Sequence, residues 1–135
     1  MKVLLLCGGR GIRLEQEASF IPKAMVRIGH QPMIWHIMKR YALYGHTEFV
    51  LALGTKGEML RDYFTRYDTY TNDVKVQLGS GKITELTQHQ EGDWSVSLVN
   101  TGEQALSGAR IARCKSYLTD DIFLVTYSDC VGNID

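Results

Sequence analysis

Hydrophobic positions along the chain fall into two kinds of run that alternate. Residues 3–6, Val-Leu-Leu-Leu, form a continuous apolar stretch of the sort a strand shows when both of its faces are covered. Residues 49–53, Phe-Val-Leu-Ala-Leu, and residues 122–126, Ile-Phe-Leu-Val-Thr, repeat that pattern. Between them, apolar side chains recur with helical spacing. Ile34, Ile37, Met38 and Tyr41 stand at i, i+3, i+4 and i+7 and share one stripe, with Pro32 where the helix opens and Gly45 where it ends. Leu60, Tyr63, Phe64 and Tyr67 make a second stripe, which assigns these aromatic rings mostly to the core. Segment 104–118 reads as a further helix with a small-residue face of Ala105, Gly108, Ala109 and Ala112. Shorter alternating runs at 74–78, 82–87 and 94–99 read as strands.

Strands alternating with helices predict an α/β fold, a Rossmann-like and mostly parallel sheet with right-handed crossovers and helices on both faces. The 135 residues are expected to form one domain. Ligands of such sheets sit beyond the carboxyl ends of the strands. Three segments follow the apolar runs there: Gly8-Gly9-Arg10-Gly11, then Gly54-Thr55-Lys56, then Tyr127-Ser128-Asp129-Cys130. The first and the third carry the chemistry.

Composition narrows the partners. Lys+Arg and Asp+Glu balance at 15 each, which argues against a general nucleic-acid surface or a polybasic membrane surface. No apolar run approaches the ~20 residues that span a bilayer. The opening Met1-Lys2-Val3-Leu4-Leu5-Leu6-Cys7 is too short for the apolar part of a signal peptide, and glycines follow at once. Cys7, Cys114 and Cys130 are widely spaced and form no metal-ligand pattern, so they read as core or strand-end thiols of a cytoplasmic protein.

The glycine loop runs Gly8-Gly9-Arg10-Gly11-Ile12-Arg13-Leu14. Glycine lets a backbone approach a ligand closely, and successive N–H groups in such a turn form an anion-binding concavity. A Walker A loop would need a Gly-Lys-Ser/Thr ending that is absent, and a dinucleotide fingerprint would need Gly or Ala where Leu14 stands. Arg13 and Lys23 follow as two cations suited to phosphate oxygens and to a departing pyrophosphate. Taken as residues alone, the loop is equally a plain turn beside two solvated cations. His36 reads as a packed helix residue, His30, His46 and His89 show no ligand spacing, and Asp120-Asp121 reads as a solvated turn.

Cys7-Gly8-Gly9-Arg10-Gly11-Ile12-Arg13-Leu14 with Ile21-Pro22-Lys23 resembles the G-G-x-G-(S/T)-R-L…P-K signature of the sugar-nucleotide pyrophosphorylases. Pro32-Met33-Ile34-Trp35-His36-Ile37-Met38-Lys39, Asp62-Tyr63-Phe64, Trp94-Ser95-Val96-Ser97-Leu98-Val99-Asn100-Thr101-Gly102 and Gly108-Ala109-Arg110 are similar to its cytidylyltransferase branch. The resemblance implies transfer of a cytidylyl group from CTP to glucose 1-phosphate, giving CDP-glucose and pyrophosphate with Mg²⁺ as cofactor. UTP or dTTP enzymes share the same loop logic, and a catalytically inactive nucleotide-binding protein or a plain interaction module are the other readings. By resemblance, Leu6, Gly8, Gly9, Arg10, Gly11 and Ile12 hold the nucleotide, Arg13 stabilises the pyrophosphate and Lys23 neutralises the reacting phosphates. Asp129 would ligate the metal, and Thr101 and Arg110 fall in segments that line the nucleotide site. Family members are about twice as long and assemble into homo-oligomers, so the chain is expected to be an N-terminal half. It departs from the family at Ile12, where Ser or Thr is usual, and at Ser128 and Cys130, where Gly flanks the aspartate; each change is expected to add bulk near phosphate or metal.

Overall fold

A computed structural model describes residues 1–8, 12–13 and 20–132, with Ile12, Arg13 and Phe20 described by backbone alone. The strands are β1 (Val3–Cys7), β2 (Ile12–Arg13), β3 (Phe20–Ile21), β4 (Arg27–Ile28), β5 (Gln31–Pro32), β6 (Glu48–Leu53), β7 (Val74–Gln77), β8 (Lys82–Glu85), β9 (Ser95–Asn100) and β10 (Leu124–Tyr127). The helices are α1 (Met33–Ala42), α2 (Gly57–Thr65), α3 (Tyr67–Thr71) and α4 (Ser107–Arg113). Four strands form a parallel sheet in the order β10-β1-β6-β9, with Val3 opposite both Leu124 and Phe49, and Leu51 opposite Leu98. The other strands pair as three small antiparallel ribbons, β2-β3, β4-β5 and β7-β8.

Strand alternation sends the two sets of side chains to two cores. Val3, Leu5, Cys7, Phe49, Leu51 and Leu53 pack against Ile34, Ile37, Met38 and Tyr41 of α1 and Leu60 of α2. Leu4, Leu6, Val50 and Ala52 face the other way, onto Cys114, Leu118 and Val99. Helices therefore cover both faces, which is why β1 and β6 read as continuous apolar runs. Gly45 ends α1 as expected: it takes φ 88°, a conformation glycine adopts without penalty, and its N–H donates to Ala42 O at 3.0 Å.

The structure corrects three expectations. The stripe Leu60, Tyr63, Phe64, Tyr67 is not one helix, because Arg66 leaves helical geometry (φ −111°, ψ 21°) and splits it into α2 and α3. The runs at 74–78 and 82–87 stay outside the main sheet as a separate hairpin with Val76 opposite Ile83, while only the third run joins it. The helix at 104–118 shortens to α4 and a 3₁₀ turn, Lys115–Tyr117, and its small-residue face does not pack: Gly108, Ala109 and Ala112 are exposed. The buried face is Arg110, Cys114 and Leu118, an i, i+4, i+8 row that periodicity hides because it begins with a charge.

The edge strand β9 is blunted by a side chain. Ser95 and Thr101 donate their N–H groups to Thr47 O and Leu53 O, so alternate residues point toward β6 and the others toward the open edge. There Arg61 Nη2 donates to Leu98 O at 3.3 Å, covering a backbone acceptor that another strand would otherwise pair with, and is held by the Asn100 side chain through Oδ1 at 3.0 Å. Among the described residues, no helix is long and apolar enough to cross a membrane.

Candidate functional site at the carboxyl ends of the strands

The ends of β1, β6 and β9 close around one buried guanidinium. Leu53 O, the last carbonyl of β6, accepts from Thr101 N at 3.0 Å, Thr101 Oγ1 at 2.8 Å and Arg110 Nη1 at 3.3 Å. Arg110 Nη1 also donates to Thr101 Oγ1 at 2.8 Å, and its Nη2 to Glu103 O at 3.3 Å. Arg113 Nη1 donates to Thr101 O, so every polar group of Thr101 is engaged. Thr101 is 1% exposed and Arg110 5%. Among the described residues Arg110 bonds only neutral oxygens, and burial, aided by the nearby Arg113 charge, pulls its pKa below the usual guanidinium value. A cation held this way keeps unspent attraction for an anion or a carbonyl-rich ligand.

Two glycines make this arrangement possible. A Cβ on Gly8 would lie 2.0 Å from Arg110 Cζ, and one on Gly54 would lie 2.7 Å from Arg110 Nη1 and 2.8 Å from Gly8 Cα. Gly8 and Gly54 thus give up their side-chain volume so that two strand ends and the guanidinium share one space. The sequence placed Gly54 at a strand end without giving it a role; the visible signal was a glycine directly after an apolar run. The chain then turns into α2 through Lys56 in the left-handed conformation, φ 59°.

On the far side, Ser128 extends β10 past its last sheet partner. Its hydroxyl donates to Leu6 O at 2.9 Å and the residue is 6% exposed. The hydroxymethyl group expected to crowd the site is instead turned into the sheet, where it pins β10 to β1. Asp129, just past the carboxyl end of β10, and Lys23 stand with Oδ2 and Nζ 4.0 Å apart and both side chains about half exposed, so solvent screens the pair. Lys23 opens a 3₁₀ turn, Lys23–Met25, held by Met25 N donating to Pro22 O at 2.8 Å.

Of the residues singled out in the sequence, the structure brings Gly8, Thr101 and Arg110 into one cluster and Lys23 and Asp129 into another. Leu6 contributes its side chain to the core and its carbonyl to Ser128. Gly9, Arg10 and Gly11, and the side chains of Ile12 and Arg13, lie outside the described residues. Among the described residues, no group of three or more His, Cys, Asp or Glu side chains is placed to hold a metal ion. His36 lies 2.8 Å from Ile28 O through Nε2, a packing role.

Residues 2–129 match the nucleotidyl transferase family. The chain belongs to that family. It is 39% identical over its full length to a probable glucose-1-phosphate cytidylyltransferase of Bacillus subtilis, and covers 52% of that protein. It is 38% identical to the glucose-1-phosphate cytidylyltransferase of Salmonella typhimurium, again covering the whole chain and 52% of the relative. The chain therefore spans about half the length of the curated relatives it matches. Among solved structures, 95% of the chain superposes on 47% of HddC from Yersinia pseudotuberculosis with TM-score 0.65 and 22% identity. A UDP-glucose pyrophosphorylase complexed with UDP-glucose matches equally, at TM-score 0.65, 19% identity and 95% and 45% coverage. These structural likenesses establish the nucleotidyl transferase fold.

The family member described here carries two buried thiols and one exposed. Burial pushes Cys7 up to about 12, opposed by a hydrogen bond with Ser128, and also raises Cys114, while Cys130 is exposed. A thiol-exchange reagent at pH 8 is expected to modify Cys130 promptly and the other two only on unfolding. Above the ordinary thiol pKa of 9.0 the unfolded chain loses the Cys7 proton that the folded chain keeps to about 12, so stability should fall as pH rises through that window. Three thiols reacting at one fast rate in the folded protein would contradict this burial.

Proposed function

We propose that the chain is the nucleotide-binding part of a nucleotidyltransferase that joins CTP to glucose 1-phosphate, giving CDP-glucose and pyrophosphate. The observation that carries the reading is the Gly8–Arg110–Thr101 cluster at the carboxyl end of the sheet, with the Lys23–Asp129 pair past the end of β10. Support for cytidine and glucose comes from the two relatives at 39% and 38% identity. In the reaction a phosphate oxygen of the sugar phosphate attacks the α-phosphorus, and the bond to the β-phosphate bridge breaks with its electron pair leaving on pyrophosphate. The attacking oxygen is already ionised, so positioning and charge neutralisation carry the catalysis and no general base is needed.

The roles of the glycine loop, Arg13 and Lys23 rest on the resemblance, and those of Arg110 and Thr101 are supported also by their hydrogen bonds. The Gly8–Gly11 backbone cradles phosphate, Arg13 holds the pyrophosphate as it departs, and Lys23 neutralises the reacting phosphates. By the resemblance, Ile12 belongs to the same nucleotide-holding loop. Arg110 reads the nucleotide from inside the sheet end, and Thr101 acts through it by fixing the guanidinium. Asp129 fits Mg²⁺, since that ion takes one or two carboxylates and fills its remaining positions with phosphate oxygens and water. Bound there, the ion would neutralise charge on the phosphates.

Calorimetric titration with CTP, UTP and dTTP in Mg²⁺ tests the reading. CTP is expected to bind saturably, and Lys23→Ala to weaken it roughly tenfold or more, since charge-assisted contacts contribute about 1.5–3 kcal/mol. Tighter UTP or dTTP binding would reassign the base, and no binding by a folded chain would sink the proposal.

A further inference from the structure

The main sheet carries a concave feature along its edge strand, β9. A cavity of about 510 Å³ lies between β9, from Trp94 just before the strand to Leu98 within it, and α2–α3. Phe64, Tyr67, Trp94 and Leu98 form its apolar wall, each half-buried. Its rim is polar, built from Thr65, Asp68, Gln88, His89 and Glu91. The lining follows β9 from Trp94 to Leu98 and includes none of Gly8, Lys23, Thr101, Arg110 or Asp129, so it is distinct from the nucleotide cluster past the strand's carboxyl end.

The rim is built around a buried charge. The Glu91 side chain is 8% exposed, with Lys39 Nζ 3.8 Å and His89 Nδ1 3.7 Å from its oxygens. His89 Nε2 lies 2.5 Å from Asp68 Oδ1 and its ring stands edge-on to Tyr67, centroids 4.9 Å apart, which locks the rim to α3. Two carboxylates on the wall repel phosphate, so this is no second nucleotide site. A cationic ligand is no better matched, because Lys39 already supplies the positive charge beside Glu91.

What fits is a neutral ring with one apolar face and hydroxyls around its edge. Hydroxyls both donate and accept, which suits a rim that mixes carboxylates, an amide and the Thr65 hydroxyl, while aromatic rings take the C–H face. We propose that this cavity is a binding site for a neutral sugar ring, separate from the nucleotide end. Its occupancy does not depend on the transferase reading.

Both tryptophans of the chain report on it. Trp94 lines the cavity, and Trp35 lies 6.4 Å from Trp94 and donates Nε1–H to Tyr67 OH at 2.9 Å. Intrinsic fluorescence of the chain should therefore be followed while methyl glucoside, methyl galactoside, methyl mannoside and N-acetylglucosamine are added, with cytidine and choline as contrasting probes. A saturable change with at least one sugar is expected, weakened at least fivefold by Asp68→Asn and by Gln88→Ala and unaltered by Lys23→Ala. Circular dichroism confirms that each variant is folded. No response to any of the sugars, a response the two cavity variants leave intact, or saturation only by cytidine or choline would overturn the proposal. A change that follows protein concentration alone would overturn it too, in favour of contact between copies.

Discussion

Gly54→Ala is expected to lower stability by about 1–3 kcal/mol, the usual cost of overpacking, and to weaken CTP binding at least tenfold. The added methyl would sit 2.8 Å from Gly8 Cα and 2.7 Å from Arg110 Nη1. A side-chain tip can move aside, but a backbone atom at the end of β1 moves only with its strand. Relief would therefore separate β1 from β6 at the point where Leu53 O collects its three donors, and Arg110 would lose its fixed position. Gly79→Ala is the control, since nothing lies within 4 Å of a Cβ there, and it should shift stability by less than about 0.5 kcal/mol. Urea midpoints of the two variants, read beside nucleotide titrations, check this. A Gly54 variant as stable and as nucleotide-competent as the parent would mean that the strand ends are not tightly closed.

Phe49→Ala should be costlier still. Phe49 is 1% exposed near the start of β6 and packs on Trp94 with centroids 5.4 Å apart. Truncation removes a fully buried ring and leaves a cavity between β6, α1 and β9, worth roughly 3–5 kcal/mol. Against a total of about 5–15 kcal/mol for a domain, this is expected to leave a substantial unfolded fraction at 37 °C. Leu78→Ala, at a residue 88% exposed, should change stability by less than about 0.5 kcal/mol. Near-equal denaturation midpoints for the two variants would show that the Phe49 ring contributes little to the core.

The geometry at the strand ends rests on Arg110, which lies outside the small-residue face that helical spacing picks out in this segment. Arg110 is drawn inward by one remote acceptor, Leu53 O at a separation of 57 residues, and by two nearer ones, Thr101 Oγ1 at 9 and Glu103 O at 7. Each acceptor alone repays little of the desolvation of a guanidinium, whereas three together hold it. Ser128 shows the same effect in reverse: bulk expected at the site is removed from it by a bond to Leu6 O across 122 residues.

The sequence by itself determined the parallel α/β sheet, the strands near 3–7 and 48–53, the α1 stripe with its stop at Gly45, and the family. Those features depend on local spacing, because an apolar run or a 3.6-residue stripe is one side of a buried contact whatever lies opposite it. Only the tertiary structure decided that Arg110 and not the alanines of α4 faces inward, that Gly54 must lack a side chain, and that His89 locks onto Asp68. Each of these depends on a partner remote in the chain, and hydrogen-bond acceptors and excluded volume leave no periodic trace along it.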